Sequence, residues 1–416
     1  MTVTSEAGRQ AQPGEEAVLR ALAERVRGRS LARGFQHEIY DRAADRFEDL
    51  TVSYPGEPVQ TVMTTYDYLG LVGHPLLNER AKEAIDAHGV GGHGTATCAA
   101  SLGLHRELEG RLARFVGHED VVVLPTGFQA NATVIPTLVG KGDWVFGDRL
   151  NHASIIDGCR LAEARGAHVR YFRHNDAEHL RTLMGEAKPG RIKLVVADSV
   201  FSADGDLFDL PAFRAVCEEA GAVLYLDEAH GLGVLGPGGR GLHEHHGLTP
   251  APTSLVMSPL SKALSATGGF VAGPRTLTTL MRTAVPGHVF SGALPPASAA
   301  AALAALDVNE ADGERRRARM RANVAHFIDR AARAKLIERP AGPHHSGIVP
   351  VPVGDDQRAL RIAAHCRDHG LMVVPFVFPI VPRGTARLRI NITARHTPDL
   401  TDPAVERLTA AFHATA

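Results

Sequence analysis

From about residue 61 to 290 the chain repeats one pattern: a short β-branched or apolar run, then a stretch whose apolar residues have helical spacing. The runs DVVVLP (120–125), WVFGD (144–148), HVRYF (168–172), KLVVADSV (193–200), AVLYLDE (222–228) and SLVMS (254–258) have the length and composition of strands. HRELEGRLARFV (105–116), ASIIDGCRLAEAR (153–165) and LPAFRAVCEEAG (210–221) have the spacing of helices with one buried face. A helix between successive strands is the connection that parallel pairing requires, and strands apolar on both sides need cover on both faces. The expected class is therefore α/β, with a large, mostly parallel, doubly covered sheet.

The pattern changes after LPPAS (294–298). An Ala- and Arg-rich helical region runs to about residue 335, followed by GIVPVPVG, a helix QRALRIAAHCRDHG, and strand-like LMVVPFVF and ARLRINITA, which suggest a smaller α+β unit. The expected division is 1–60 as tail, amphipathic helix and arm, 61–296 as the large domain and 297–416 as the C-terminal small domain. Residues 1 to about 16 are polar and acidic and read as a disordered tail, not as a signal peptide. The most apolar run, PPASAAAALAALDV, falls short of the ~20 residues a membrane span needs.

Charge excludes whole classes of function. With 45 basic against 46 acidic residues the chain has no electrostatic footprint for nucleic acid or an anionic membrane. Cys98, Cys159, Cys217 and Cys366 lack CxxC or zinc-type spacing, so reduced thiols, a cytoplasmic setting and no metal site are expected.

The chemistry is sought where strands end, because open parallel sheets bind ligands beyond the carboxyl ends of their strands. AVLYLD runs into Asp227-Glu228-Ala229-His230, GDRLNHAS places His152 just past another strand, and SLVMSPLSK places Lys262 in a Ser/Gly-rich turn. A lysine there can form a Schiff base if desolvation lowers its pKa. LPTGFQAN offers a Thr-Gly turn at a helix start, a geometry that suits phosphate. Gly231, Gly233 and Gly236 spell GxGxxG, but no helix opens there, so a dinucleotide fingerprint is rejected. HEHHG at 243–247 looks like a metal cluster yet sits in a polar loop-like stretch and reads as a solvated face.

In order, YDYLG (66–70), LHRELE, TGFQAN, NHASIIDG, FRHN, DEAHGLGVLGPGGRG, LSKAL followed by a Gly pair, FSGALPP, and ARLRI with ARHT resemble the α-oxoamine synthases, and serine palmitoyltransferase-like members in particular. The resemblance covers about 66–397 and implies the fold type I, aspartate aminotransferase-like architecture with pyridoxal 5'-phosphate as cofactor. It implies that Lys262 joins the cofactor aldehyde and that Asp227 pairs with the ring nitrogen. His230 and Ser199 then stand near the phenolic oxygen, and His152 stacks on the ring. Thr126, Gly127, Phe128 and Ser261 match phosphate-cradle positions, and Ser291 one supplied by a neighbouring subunit of a homodimer. Arg389 matches the arginine that grips a substrate carboxylate, and Tyr66 stands at a substrate position.

The reaction so implied is decarboxylative Claisen condensation of serine, glycine or alanine with an acyl-CoA or acyl-carrier protein, giving an α-aminoketone. A fold-type I aminotransferase, a glycine C-acetyltransferase-like member, a non-catalytic partner subunit and a scaffold protein are the alternatives. Four positions depart from the family pattern. Pro259 replaces a usual phosphate-binding threonine, Ala96 and Ala100 stand where many members have Arg and Gly, and Val377 replaces the arginine of pimeloyl-accepting members. The first makes Ser258 or Ser261 the substitute hydroxyl; the next two imply altered acyl recognition; the last counts against 8-amino-7-oxononanoate synthase.

Overall fold

The computed structural model describes residues 17, 18, 20–22, 24, 46–48, 50–54 and 56–415. The expected polar tail lies outside them. The first strands, β1 (Arg46–Glu48), β2 (Thr51–Ser53) and β3 (Gln60–Val62), form a small antiparallel ribbon.

The large sheet is built from β4 (Asp120–Leu124), β5 (Trp144–Asp148), β6 (His168–Phe172), β7 (Lys193–Asp198), β8 (Val223–Asp227), β9 (Ser254–Pro259) and β10 (Gly269–Gly273). Their order in space is β4-β10-β9-β8-β7-β5-β6. Six of these strands were legible as apolar runs, and each ends within a few residues of its expected position. The seventh, β10, was not: GFVAG is short and glycine-bounded, and it runs antiparallel between β4 and β9. The sheet is therefore mixed. This insertion returns the chain directly from the Lys262 turn into the sheet, so the turn is tethered at both ends.

Both faces of the sheet are buried. Along β4, Val121 and Val123 join one apolar cluster and Val122 and Leu124 another; in β9, Val256 divides from Leu255 and Met257 in the same way. Period-two alternation between two cores explains why these strands read as continuously apolar. Helices start and stop where local chemistry says they should. Thr126 and Asp209 accept the backbone N–H of Gln129 and Ala212 at two helix starts, and Gly117 and Gly221 end helices in the left-handed conformation.

The helix Pro296–Arg333 spans 38 residues and links the large sheet to the remaining strands. Those are β11 (Ile348–Gly354), β12 (Leu371–Met372), β13 (Val374–Phe376) and β14 (Ala386–Asn391). A three-stranded sheet has the order β11-β14-β13, while β12 pairs in parallel with β3. The C-terminal unit thus shares a sheet with the N-terminal ribbon, a long-range pairing that no local pattern announces. Among the described residues no helix is long and apolar enough to cross a membrane.

Candidate active site

Parallel strands in register align their ends. Asp198 of β7 stands opposite Asp227 of β8, which stands opposite Met257 of β9. The two carboxyls are neighbours at the carboxyl edge of the sheet, with the Lys262 turn next along.

Asp227 is buried, and burial pushes its carboxyl above the usual range, while Lys262, Asn131 and His152 pull the other way. It accepts the Asn131 Nδ2 at 2.7 Å and the Ala229 backbone N–H at 2.9 Å. Asp198 is held well above the usual range by burial and by the charge of Asp227; its Oδ2 accepts the His152 backbone N–H at 2.7 Å. Burial lowers the Lys262 ammonium, Asp227 opposes that, and Arg389 adds to it. A lysine in such a setting has a larger neutral fraction than one in water, and the neutral amine is the form that attacks an aldehyde or accepts a proton.

His152 caps the helix Ala153–Ala164 and exposes its ring in the cleft, yet so many protein atoms crowd it that desolvation lowers its pKa. His230 is fully enclosed and its pKa lies well below the usual value, first through burial and then through repulsion by Lys262 and Arg389. Its Nδ1 lies 2.7 Å from the Tyr68 hydroxyl.

Arg389, on β14, reaches the site from the other side. It is buried, donates from Nη1 to the Tyr66 hydroxyl at 3.4 Å, and lies 5.2 Å and 5.3 Å from the Tyr66 and Phe376 ring centres. Among the described residues its Nε and Nη2 have no hydrogen-bond partner. Two unpaired, buried guanidinium donors on one fork are the geometry that binds a carboxylate. Tyr66 stands between the cations, its ring centre 5.7 Å from Lys262 Nζ. A cavity of about 420 Å³ opens here, bounded by Tyr66, Lys262, Ser261, Val72, Tyr54 and Met372.

The phosphate-type turn sits at the same edge. A side chain at Gly127 would put its Cβ 2.7 Å from Pro259 Cβ, and one at Gly269 would meet the Gly127 nitrogen at 2.6 Å. Only glycine permits this approach. Pro259 thus packs on the helix start. Ser258 turns inward, donating to the Glu228 carbonyl at 3.3 Å, so of the two candidate substitutes only exposed Ser261 keeps an available hydroxyl. Thr126 and Phe128 are exposed beside it, and Ser291 is half-buried next to Phe290, which is 83% exposed.

Lys262, Asp227, His152, His230, Arg389 and Tyr66 are therefore brought together. Ser199 is buried with an unpartnered hydroxyl; it lies near Glu228, whose carboxyl burial raises to about 7, without closing a well-formed hydrogen bond. An unpaired hydroxyl, a free guanidinium fork, a poised lysine and a glycine-lined helix start fit a flat aromatic aldehyde bearing a phosphate. Val377 is buried in a small apolar core with Ala359 and Ala386. Ala100 is buried, and Ala96 lines a minor cavity with His105 and His288. His243 of HEHHG is buried, contrary to the expectation of a solvated face, because the short helix Leu242–His245 turns it inward. Among the described residues no group of three or more His, Cys, Asp or Glu could hold a metal.

Several contributors escaped sequence reading. Asn131 lies one helical turn beyond Gly127, and Asp198 ends a strand in Asp just as Asp227 does; both signals were present but not used. Asp67 accepts the backbone N–H of Leu71 and Val72 and the Ser265 hydroxyl, tying YDYLG to the lysine turn. His396 of ARHT holds structure, with its Nε2 2.9 Å from the Val62 carbonyl oxygen.

Residues 58–408 match the sequence profile of the aminotransferase class I and II family. A putative 8-amino-7-oxononanoate synthase of Desulforudis audaxviator is 42% identical over 81% of this chain and 85% of its own length. An 8-amino-7-oxononanoate synthase of Symbiobacterium thermophilum is 39% identical over 82% and 86%. The serine palmitoyltransferase of Sphingomonas wittichii superposes with a TM-score of 0.86 at 28% identity over 97% of this chain and 99% of that one. The S. paucimobilis serine palmitoyltransferase, solved with a pyridoxal phosphate adduct, gives 0.85 at 28% identity over 98% and 99%.

Proposed function

The chain belongs to the aminotransferase class I and II family, and from that premise we propose decarboxylative condensation of a small amino acid with an acyl thioester, dependent on pyridoxal phosphate. The observation that carries this reading is the buried Arg389 fork with Nε and Nη2 unpaired, across Tyr66 from a lysine whose ammonium is destabilised.

On this reading each residue takes a role that its surroundings support. Arg389 holds the amino-acid carboxylate through paired, charge-assisted hydrogen bonds. Lys262, neutral in part because it is desolvated, takes the proton from the amino-acid Cα. Asp227, an acceptor of two hydrogen bonds, pairs with the ring nitrogen; His152 offers its exposed ring as a stacking face. His230 and the free Ser199 hydroxyl serve the phenolic oxygen, while Thr126, Gly127, Phe128 and Ser261 serve the phosphate. The bound cofactor supplies an electron sink for charge at Cα. Exposed Phe290 beside Ser291 supports a homodimer in which Ser291 completes the partner's site.

An uncharged acyl tail is favoured, because Val377 stands where the family resemblance places the arginine of pimeloyl-accepting members. The names of the curated relatives keep 8-amino-7-oxononanoate synthase as the rival.

The test is to load the protein with pyridoxal phosphate, titrate serine, glycine and alanine while following visible absorbance, then add acyl thioesters to the best binder. Carboxyl-labelled amino acid should release its label as CO₂, faster with a fatty acyl-CoA than with pimeloyl-CoA. Product that retains the label excludes decarboxylative condensation.

A further inference from the structure

Beneath the cleft runs a chain of hydrogen bonds whose direction its atoms dictate. Asn131 Oδ1 accepts the Tyr225 hydroxyl at 3.0 Å. Its Nδ2 hydrogens go to Asp227 Oδ2 at 2.7 Å and to Ser154 Oγ at 2.9 Å. The reversed amide would aim an oxygen at the Asp227 lone pairs, so one orientation is tolerable. Having accepted from the amide, Ser154 Oγ has a single hydrogen, and His152 Nδ1 lies 2.7 Å away. The Ser154 backbone N–H approaches the same nitrogen at 3.3 Å. A backbone N–H can only donate, so Nδ1 is the acceptor; the Ser154 hydroxyl turns its one hydrogen to the same nitrogen, and the neutral ring carries its hydrogen on Nε2.

Asn131, Ser154, Tyr225 and Asp227 are all buried, so solvent does not substitute for a missing partner. The backbone of His152 is pinned separately by its N–H bond to Asp198. Three elements converge on this chain: the helix Gly127–Leu138 supplies Asn131, β8 supplies Tyr225 and Asp227, and the helix Ala153–Ala164 supplies Ser154.

We propose that Asn131 and Ser154 are positioning residues: they lock His152 in its Nε2–H tautomer and keep Asp227 an accepting carboxylate. One hydrogen-bond chain thereby sets the two groups that flank the cofactor ring. The role assigned to that ring rests on the functional reading above; the tautomer does not. Losing the Ser154 hydroxyl leaves Nδ1 with only the long backbone contact, freeing the ring to exchange tautomers. Losing the Asn131 amide removes one of two donors to Asp227 and raises its proton affinity in a site where burial already does so.

The experiment uses the full-length protein labelled with ¹⁵N-histidine, with and without pyridoxal phosphate, and identifies the His152 signal by its loss in His152→Gln. Wild type and Ser154→Thr should show an unprotonated Nδ1, and Ser154→Ala should move both ring nitrogens toward averaged shifts. In the loaded protein, Asn131→Ala should weaken cofactor binding about tenfold and displace the pH midpoint of its visible absorbance by about one unit. A wild-type His152 protonated at Nδ1 overturns the proposal. So does a Ser154→Ala protein with both tautomer and absorbance midpoint unchanged. If Asn131→Ala does not fold, Ser154→Ala with its Ser154→Thr rescue decides the matter. Wild type that takes up no pyridoxal phosphate refutes the functional reading instead, and leaves the tautomer measurement standing.

Discussion

The floor of the cleft and its far wall are built on opposite plans. On the floor, at the carboxyl edge of the large sheet, Asp227, Asn131, Ser154 and His152 are linked in one chain of hydrogen bonds. On the wall, Arg389 keeps two donors unpaired and is steadied chiefly by the Tyr66 and Phe376 rings. A linked network holds its members in one orientation, whereas unpaired donors gain most when a substrate anion arrives. The difference implies that floor substitutions strike the cofactor and the chemistry, and wall substitutions strike amino-acid capture.

Removing the lysine next to the floor tests this most severely. Lys262→Ala should cut turnover by about 10³-fold or more in a steady-state assay, with circular dichroism unchanged. At the wall, Arg389→Lys should raise the KM for the amino acid by about 10- to 100-fold, since a point charge replaces a bidentate fork. Cofactor affinity should stay near wild type; an equal loss of both would erase the floor-and-wall distinction. Beside the floor, Ser261→Ala should weaken pyridoxal phosphate binding about tenfold, because on the proposed reading its hydroxyl serves the phosphate. Ser258→Ala, whose hydroxyl faces the protein interior, should leave that affinity unchanged and lower stability by about 1 kcal/mol, measured by denaturant titration.

The smallest effect lies behind the floor. His174 bridges Asp148 and Asp206; burial alone would lower its pKa, but those two carboxylates outweigh it and raise the pKa to about 9. A raised pKa means the folded protein holds this proton more tightly. The resulting stabilisation is complete below the unfolded value of about 6.5 and fades as pH rises through 9. Thermal melts between pH 6.5 and 9.5 should show that decline in wild type and a flatter profile in His174→Gln.

Much of this was legible because the local signals are strong. A strand that ends in a polar residue before a helix places that residue at the sheet edge, which is how Asp227, His152 and Lys262 came to be singled out. Asn131 and Ser154 were not, although both lie in quoted motifs, because the contacts that join Asn131 to Asp227 and to Ser154 span 96 and 23 residues and different elements. Ser258 and Ser261 could not be separated either: strand alternation turns one inward, and only packing against Glu228 makes that visible.

The sequence alone determined the layered α/β class, the strand ends and the chemical type of the principal residues, because periodicity and end-of-strand polarity are local properties. The tertiary structure decided that β10 makes the sheet mixed, that the N-terminal ribbon pairs with β12, and that Val377 is buried in the small core. It also decided which hydroxyls are spent and which are free. Those outcomes depend on register and packing between distant segments, where the partner of each group is chosen by the folded chain and not by its neighbours in sequence.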